Sequence, residues 1–188
     1  MDARTLVLES ALRLFSERGY DAVGVQEIVE GAGVTKPTLY HHFKSKQGLF
    51  ETLLDERLRP LDEALLAACD YQGDLPLTLE RIVTVYLDFA TRERAFYQLL
   101  LSTYYAPFDN AVHKAAASRL QRHFALVEDV FVRAVRGHGN LRGKQQRLGV
   151  SLLGLINSFL PLVWGGQERN DGPLVHGIVK QFSYGIYA

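Results

Sequence analysis

The chain has 188 residues, 47% of them hydrophobic, and its 21 Lys and Arg balance 21 Asp and Glu to a formal net charge of zero. This composition is typical of a globular protein with a sizeable core, so it excludes a disordered chain, and the neutrality argues against binding polyanions over the whole surface. The single Cys69 excludes an internal disulfide framework and fits a reducing cytosol, and the opening MDARTLVLES lacks the apolar run of a secretory signal.

Hydrophobic residues recur at helical spacing along almost the whole chain. Near the start, Leu8, Leu12 and Phe15 recur at i, i+4 and i+7, and Gly19 follows as a stop signal. We therefore predict a first helix of about 15 residues. No stretch shows the two-residue alternation of a strand between turn signals, so the predicted fold class is all-α.

Two short helices are predicted next. The run VQEIVEGAG predicts a helix ended by Gly31 and Gly33. The following helix begins at Thr35 and places Pro37 in its first turn, where a missing N–H group costs nothing. Two short helices joined by a turn that contains glycine form a helix-turn-helix, here at about residues 24–43, whose second helix can lie in the major groove of DNA.

Longer helices follow in the rest of the chain. The first begins around Ser45, which can cap it, and runs towards Ala68 with Pro60 inside the pattern, where we expect a kink or a break. An uncharged run at 149–166 reaches the lower limit of a membrane span, but its glycines, serines and proline favour a core or interface helix. The other helices are predicted at Thr78–Thr91, Glu93–Tyr105, Phe108–Arg136, Leu141–Trp164 and Leu174–Tyr187.

The neutral total hides a basic region around the second helix of the motif. Residues 31–50 contain Lys36, Lys44 and Lys46 and no acid, a net charge of +3, whereas residues 1–30 hold three Arg against six acids, a net charge of −3. Contacts to DNA phosphates need such a localised positive charge. The sequence therefore predicts a cationic surface confined to one short helix and its exit.

The side chains of this region suit a DNA interface. Lys36 can reach a guanine edge, Thr38 can bond a base or touch a thymine methyl, and Tyr40 can donate to a phosphate oxygen. Leu39 and Phe43, four residues apart, would instead pack the helix onto the first two helices. A small helical subdomain with a solvated basic face would give the same pattern, so the motif alone is weak evidence.

The run GVTKPTLYHHFKSKQGLF resembles the signature of the TetR family of transcriptional repressors, and the resemblance extends back through ALRLFSERGYDAVGVQEI. It implies a helix-turn-helix DNA-binding domain at 1–47 and an α-helical effector-binding and dimerisation domain at 48–188. Two departures concern Gly24, where many members have a Thr that contacts phosphate and caps the helix, and Val29, where many have Ala. The chain also begins almost at the first helix, which leaves no basic arm for the minor groove. The DNA contacts implied by position fall on Val25, Gln26, Thr35, Lys36, Pro37, Thr38, Tyr40, His41 and Lys46.

The resemblance further implies a cytoplasmic homodimer that represses transcription at a palindromic duplex operator and is released when a small-molecule effector shifts helix 46–68. Two observations favour a four-helix dimer interface, although an internal core is the alternative for both helices. The first is a set of small residues on the uncharged helix, namely Gly149, Ser151, Gly154 and Ser158. The second is a set of apolar residues on the last helix, namely Leu174, Val175, Ile178, Val179 and Phe182.

Aromatic residues concentrated around 86–108 predict an effector pocket for an apolar or amphipathic ligand, with plain core as the alternative at each position. The candidate residues are Tyr86, Phe89, Phe96, Tyr97, Leu100, Tyr104, Phe124 and Trp164. No metal, cofactor or catalytic group is predicted, since His113 and His123 lack metal-ligand spacing and no catalytic triad stands out. The alternative functions are an α-helical small-molecule binding protein whose helix-turn-helix no longer reads DNA and, more remotely, an α-helical enzyme.

Overall fold

The computed structural model describes residues 2–185, which form nine α-helices, one short 3-10 turn at Gly139–Leu141 and no strand. The prediction of an all-α fold is confirmed. The helices are α1 (Ala3–Arg18), α2 (Val25–Ala32), α3 (Lys36–Phe43), α4 (Lys46–Ala68), α5 (Leu75–Arg92), α6 (Arg94–Tyr104), α7 (Ala111–Ala134), α8 (Gln145–Trp164) and α9 (Gly172–Tyr184).

Capping carboxylates move two helix starts ahead of their predicted positions. The Asp74 carboxylate accepts the Leu77 N–H at 2.9 Å, so α5 begins three residues before Thr78. The Asp171 carboxylate likewise accepts the Leu174 N–H at 3.2 Å and starts α9 at Gly172. An Asp at this position satisfies an N–H group that the first turn leaves without a partner. By contrast, α7 and α8 begin later than predicted, and the predicted end of the last helix at 187 lies outside the described residues.

Two predicted helix breaks, at Gly31 and Pro60, are absent, and the alternative of a kink at Pro60 stays a prediction. Gly31 lies inside α2, which ends after Ala32, and Gly33 follows in the left-handed conformation with φ 66°. A Cβ at Gly31 would lie 2.5 Å from the Ser10 hydroxyl oxygen, so this glycine permits the close approach of α1 instead of ending α2. Pro60 does not break α4, which runs unbroken through it; the loss of one N–H group is tolerated in a helix whose neighbouring leucines are buried.

The helices form two compact units. The first unit lies within residues 2–59 and 93–119, and the second within 60–92 and 120–185. These units reflect packing, whereas the predicted boundary between residues 47 and 48 concerns function, so that boundary stays a prediction.

The core of the first unit holds the short helices together. Leu39 and Phe43 on α3 are buried, as predicted, at 0% and 4% exposure. The rings of Phe15, Tyr20 and Phe50 form an aromatic cluster in which Tyr20 lies 5.2 Å from each of the other two ring centroids. The Ser10 hydroxyl donates to the Ile28 carbonyl at 2.9 Å and ties α1 to α2. These contacts fix the orientation of α3 relative to α1 and α2.

In the second unit, helix α8 buries one face and exposes another. Leu152, Ile156 and Leu160 are fully buried, and a Cβ at Gly149 would lie 3.4 Å from the backbone nitrogen of Glu128, so α7 approaches closely there. Among the described helices only α8 is long and apolar enough to cross a membrane, which is weak evidence because core and interface helices pass the same test. Since 28% of its apolar window is buried, α8 is not a wholly internal core helix.

Helix α9 packs against both α5 and α8, so its apolar residues do exceed what one neighbour covers. Four of the five are buried within the chain and Phe182 is half-buried, which favours the internal-core alternative for this helix. The outer face of α9 carries His176, Gly177 and Lys180. On α8, by contrast, Val150 is 52% and Leu162 37% exposed.

Candidate nucleic-acid interface

The helix-turn-helix is built around a tight turn between α2 and α3. The N–H of Gly33 donates to the Glu30 carbonyl at 3.1 Å, and the N–H of Val34 donates to the Val29 carbonyl at 3.0 Å. A left-handed residue at this position is the usual way to end a helix and satisfy its last carbonyls. Thr35 then adopts an extended conformation and α3 begins at Lys36, with Pro37 in its first turn. The turn predicted from the glycines is thus formed at Gly33.

The start of α2 keeps half of a capping interaction. Gly24 has no side chain to cap the helix, as the sequence implied, but its N–H donates to the Glu27 carboxylate at 2.8 Å. Arg18 donates to the other oxygen of that carboxylate at 2.5 Å. The Gly24 N–H and, second, Arg18 hold the pKa of Glu27 below its ordinary value. The loss of Thr here therefore removes a side-chain contact without leaving the helix start uncapped.

Most residues of the predicted DNA contact set lie at the surface of the first unit. Val25, Thr38 and Lys46 are half-buried, and the other six are exposed. The hydroxyl groups of Thr35 and Thr38 lie 3.0 Å apart and share one hydrogen bond, which leaves one O–H group and lone pairs for a ligand. Gln26 is engaged with Glu30 at 2.5 Å. The structure thus presents α3 to solvent as a recognition helix requires.

Lys46 is held differently from the other two lysines. Its ammonium nitrogen lies 4.1 Å from the centroid of the Tyr20 ring, a cation–π contact. Partial burial lowers the pKa of Lys46 below its ordinary value, while the carboxylates of Asp21 and Glu27 act in the opposite direction. The ring thereby orders the ammonium group next to the exit of α3 before any ligand arrives.

Sequence reasoning counted Lys44 in the basic charge but did not assign it a contact. The structure gives Lys44 φ 67°, and it is the only non-glycine residue with positive φ within 2–185. Its N–H donates to the Tyr40 carbonyl at 3.0 Å and closes α3, and its side chain is exposed. A left-handed conformation is costly for a residue with a Cβ, so the surrounding fold must hold it. Its ammonium group reaches the His41 carbonyl at 3.4 Å and stays exposed beside the end of α3, so Lys44 is a candidate phosphate contact that periodicity could not single out.

The join between α3 and α4 depends on a glycine. The Ser45 hydroxyl accepts the Gly48 N–H at 2.9 Å, which confirms Ser45 as the cap of α4. A Cβ at Gly48 would lie 2.2 Å from the Phe43 carbonyl oxygen, which is backbone and cannot rotate away. Only glycine allows the two helices to meet at this distance.

Replacing Gly48 with Ala should therefore lower the free energy of unfolding by about 1–3 kcal/mol, the usual cost of overpacking. Urea denaturation followed by circular dichroism measures this change. Gly139→Ala is the matched control, because nothing lies within 4 Å of a Cβ at that position. Equal unfolding free energies for the two variants would contradict the assigned role of Gly48.

The candidate effector residues are distributed over both units. On α6, in the first unit, Phe96, Tyr97 and Leu100 are buried and Tyr104 is half-buried. Burial raises the pKa of the Tyr97 phenol above its ordinary value, so the hydroxyl stays neutral. The other four candidates lie in the second unit, where Tyr86 and Phe89 are buried and Phe124 and Trp164 are half-buried.

A buried polar chain joins three helices in the second unit. His123 on α7 is fully buried, with Nδ1 3.1 Å from the Tyr86 hydroxyl and Nε2 2.6 Å from the Asp62 carboxylate. Because a carboxylate only accepts, Nε2 carries the hydrogen that it donates to Asp62. His113, in the first unit, is likewise engaged, with Nδ1 2.7 Å from the Tyr104 carbonyl. Among residues 2–185 no group of three His, Cys, Asp or Glu could hold a metal ion.

Comparisons with known proteins agree with this geometry. Residues 7–53 match the family described as bacterial regulatory proteins, tetR family. The HTH-type transcriptional activator FasR of Mycolicibacterium smegmatis is 33% identical over 104 residues, which cover 55% of this chain and 48% of FasR. The TetR family transcriptional regulator PfmR of Thermus thermophilus superposes with TM-score 0.79 and 20% identity over 99% of this chain and 98% of its own. AibR, solved with isovaleryl coenzyme A and operator DNA, superposes with TM-score 0.72 and 20% identity over 96% and 97%.

The fold and the matched segment together define a helix-turn-helix protein with an all-α body. Through residues 7–53, the chain is similar to the tetR family of bacterial regulatory proteins. The chain spans about half the length of the curated relatives it matches, with 48%, 58% and 47% of three of them covered. The structural likeness, at about one fifth identity, shows the fold.

Proposed function

We propose that this protein is a sequence-specific DNA-binding transcriptional repressor of the TetR type. The observation that carries the proposal is the exposure of α3 next to the three lysines of the acid-free stretch 31–50. Lys36 lies at the helix start, where backbone N–H groups also favour a phosphate. Lys44 and Lys46 follow the helix end, so cationic groups flank the recognition helix on both sides. The operator complex of AibR, which has the same fold, supports this interpretation.

Selection from a library of random duplexes tests this proposal. We expect the purified protein to enrich a palindromic sequence at moderate salt, because a two-fold dimer presents two identical recognition helices to successive major grooves. The matched control is a triple variant in which Lys36, Lys44 and Lys46 are replaced by Gln, which removes the charge but keeps helix-compatible side chains. Enrichment by both proteins alike, or by neither, would exclude the repressor assignment.

We also propose a homodimer whose interface lies on α8. Its exposed face carries Val150 and Leu162 together with the small residues Ser151, Gly154 and Ser158, of which Gly154 has no atom within 4 Å of an added Cβ. A flat apolar face of this kind lets a second helix pack closely. As part of the same proposal, the protein acts by binding DNA and not by catalysis. Its proposed location is the cytoplasm, where an operator is accessible.

The proposed effector is apolar or amphipathic and binds at the buried aromatic face of α6. This face lies in the same unit as the recognition helix, and the Ser16 hydroxyl of α1 donates to the Ala95 carbonyl of α6 at 3.2 Å. A ligand that moves α6 would therefore act on α1 directly. The isovaleryl coenzyme A held by AibR makes acyl thioesters the first class to test.

Replacing Leu100 with Trp should block the effector and leave operator binding intact, which would give a repressor that no longer responds. Leu100 is fully buried on the proposed ligand-binding face, so the larger ring would compete with a ligand for space there. The measurement is release of operator DNA by a panel of short and long acyl thioesters, with Leu77→Trp as control because Leu77 is 51% exposed. If no thioester releases the wild-type protein from operator DNA and Leu100→Trp only lowers the melting temperature, the aromatic residues of α6 are core and do not form an effector site.

A further inference from the structure

A cavity of about 280 Å³ in the second unit lies where the starts of α5 and α8 meet the ends of α7 and α9. Its floor is apolar: Leu75, Leu79 and Phe131 are buried, and the half-buried Phe182 ring lies 5.9 Å from the ring of Phe131. None of its lining residues belongs to the predicted DNA or effector sets. The cavity is therefore a separate feature of this chain.

The rim of the cavity consists of hydrogen-bond donors. The polar side chains among its lining residues are His138, Asn140, Lys144, Ser183 and Tyr184. Each of them can donate a hydrogen bond, and no carboxylate lines the cavity. An apolar floor under a rim of donors is the arrangement that suits a ligand with a hydrocarbon body and an anionic end.

The charge distribution around the rim points the same way. Residues 130–167 contain five Lys and Arg and no Asp or Glu. Arg133 is paired with Asp129 at 2.8 Å, but no salt bridge joins Lys144 or Arg147 to a carboxylate among the described residues. The nearest acid along the chain to the cavity floor, Asp74, is already engaged in capping α5. Lys144 at the N-cap of α8 and Arg147 in its first turn also lie unfavourably in the helix dipole field, which an anion would relieve.

We propose that this cavity binds a medium-chain carboxylate, with the hydrocarbon chain on the Phe131 floor and the carboxylate beside Lys144. A group of the size of a water molecule takes about 30 Å³, so the cavity holds roughly nine such groups. The seven carbons of octanoate beyond its carboxyl group fit within it while the carboxylate remains at the rim. The proposal concerns a second ligand site and does not depend on the effector site at α6.

Calorimetric titration of the full-length protein with octanoate, kept below its aggregation threshold, tests the proposal. We expect saturable binding that Lys144→Met weakens roughly fivefold, the upper range for a partly exposed ion pair. Leu148→Trp should abolish binding, because Leu148 lines the cavity wall and is half-buried. Arg136→Met is the matched control, since Arg136 lies in the same acid-free stretch but does not line this cavity.

Further arms separate this site from other sources of binding. Octanol should bind more weakly than octanoate, since it lacks the charge, and Leu100→Trp should bind octanoate like the wild type. Loss of binding in Leu100→Trp with unchanged binding in Lys144→Met would overturn the proposal, as would an absence of saturable binding. Sedimentation with anionic phospholipid vesicles that depends on Lys144, without binding of free octanoate, would also overturn it and indicate a membrane surface instead. Circular dichroism shows whether Leu148→Trp is folded, so that its loss of binding can be attributed to the filled cavity. If Leu148→Trp does not fold, Lys144→Met, at an exposed position, still tests the proposal.

Discussion

Lys36→Ala should weaken binding to the selected operator by about 1–3 kcal/mol and relax the preference at one base pair, because a lysine at the start of the recognition helix can reach a guanine edge. Lys36 is exposed, with no salt bridge to a carboxylate among the described residues, so its removal does not disturb the fold. Lys46→Ala should behave differently. It should weaken all sequences similarly and reduce the slope of log K against log salt by about one unit, as the loss of one phosphate contact does.

Fluorescence anisotropy on the operator and on scrambled duplexes, over a range of salt concentrations, separates the two variants. Lys114→Ala is the control, an exposed lysine outside the helix-turn-helix in the same unit. The Tyr20 contact adds a test for Lys46: Tyr20→Leu removes the ring that orders the ammonium group and should reproduce part of the Lys46→Ala effect. Identical sequence preferences for Lys36→Ala and the wild type would remove Lys36 from the base-reading set.

Gly154→Arg should convert the proposed dimer into a monomer and reduce operator affinity by about 10²-fold or more, since linked binding of two half-sites is lost. The argument rests on the open space around this glycine. Outside its own helix, no described atom lies within 4 Å of its added Cβ, so a side chain can start from this position without a clash. We therefore expect loss of association to come from a second chain, where an unpaired charge would be buried.

Analytical ultracentrifugation at micromolar concentration measures the oligomeric state, with Gly139→Arg as the control at another open, exposed glycine. A recognition-helix separation of about 34 Å is available only to the dimer, so the monomer should retain weak binding to a single half-site. If the wild-type protein is monomeric under these conditions, both the proposed interface on α8 and the proposed palindromic operator are wrong.

Local signals in the sequence were sufficient for the helix-turn-helix and insufficient for the rest. Thr35, Pro37 and Ser45 mark helix starts that the structure confirms, because caps and proline act within one turn. Asp74 and Asp171 act in the same way but stand among glycines and prolines, which gave their segments the composition of loops.

Long-range contacts explain what sequence reasoning missed. The bond between His123 and Asp62 joins residues 61 positions apart, and a single sequence contains no signal for it. The burial of α9 shows a related limit: the periodicity indicates that a face is buried, but it does not show whether the covering helices belong to the same chain, as α5 and α8 do. The small residues of α8 suggested close packing from the sequence alone. Only the structure separates Gly149, which packs against α7, from Gly154, which is open.

The contact between Gly48 and the Phe43 carbonyl has a mechanical consequence. Ser45 caps α4 only two residues after α3 ends, Lys44 between them is locked in a left-handed conformation, and the backbones already touch. A connection this short and closely packed leaves no flexible residues between α3 and α4 to absorb a displacement. If α3 is the recognition helix, as proposed, a tilt at the start of α4 would rotate α3 as a whole, so α3 would leave a DNA groove fully folded and return without refolding.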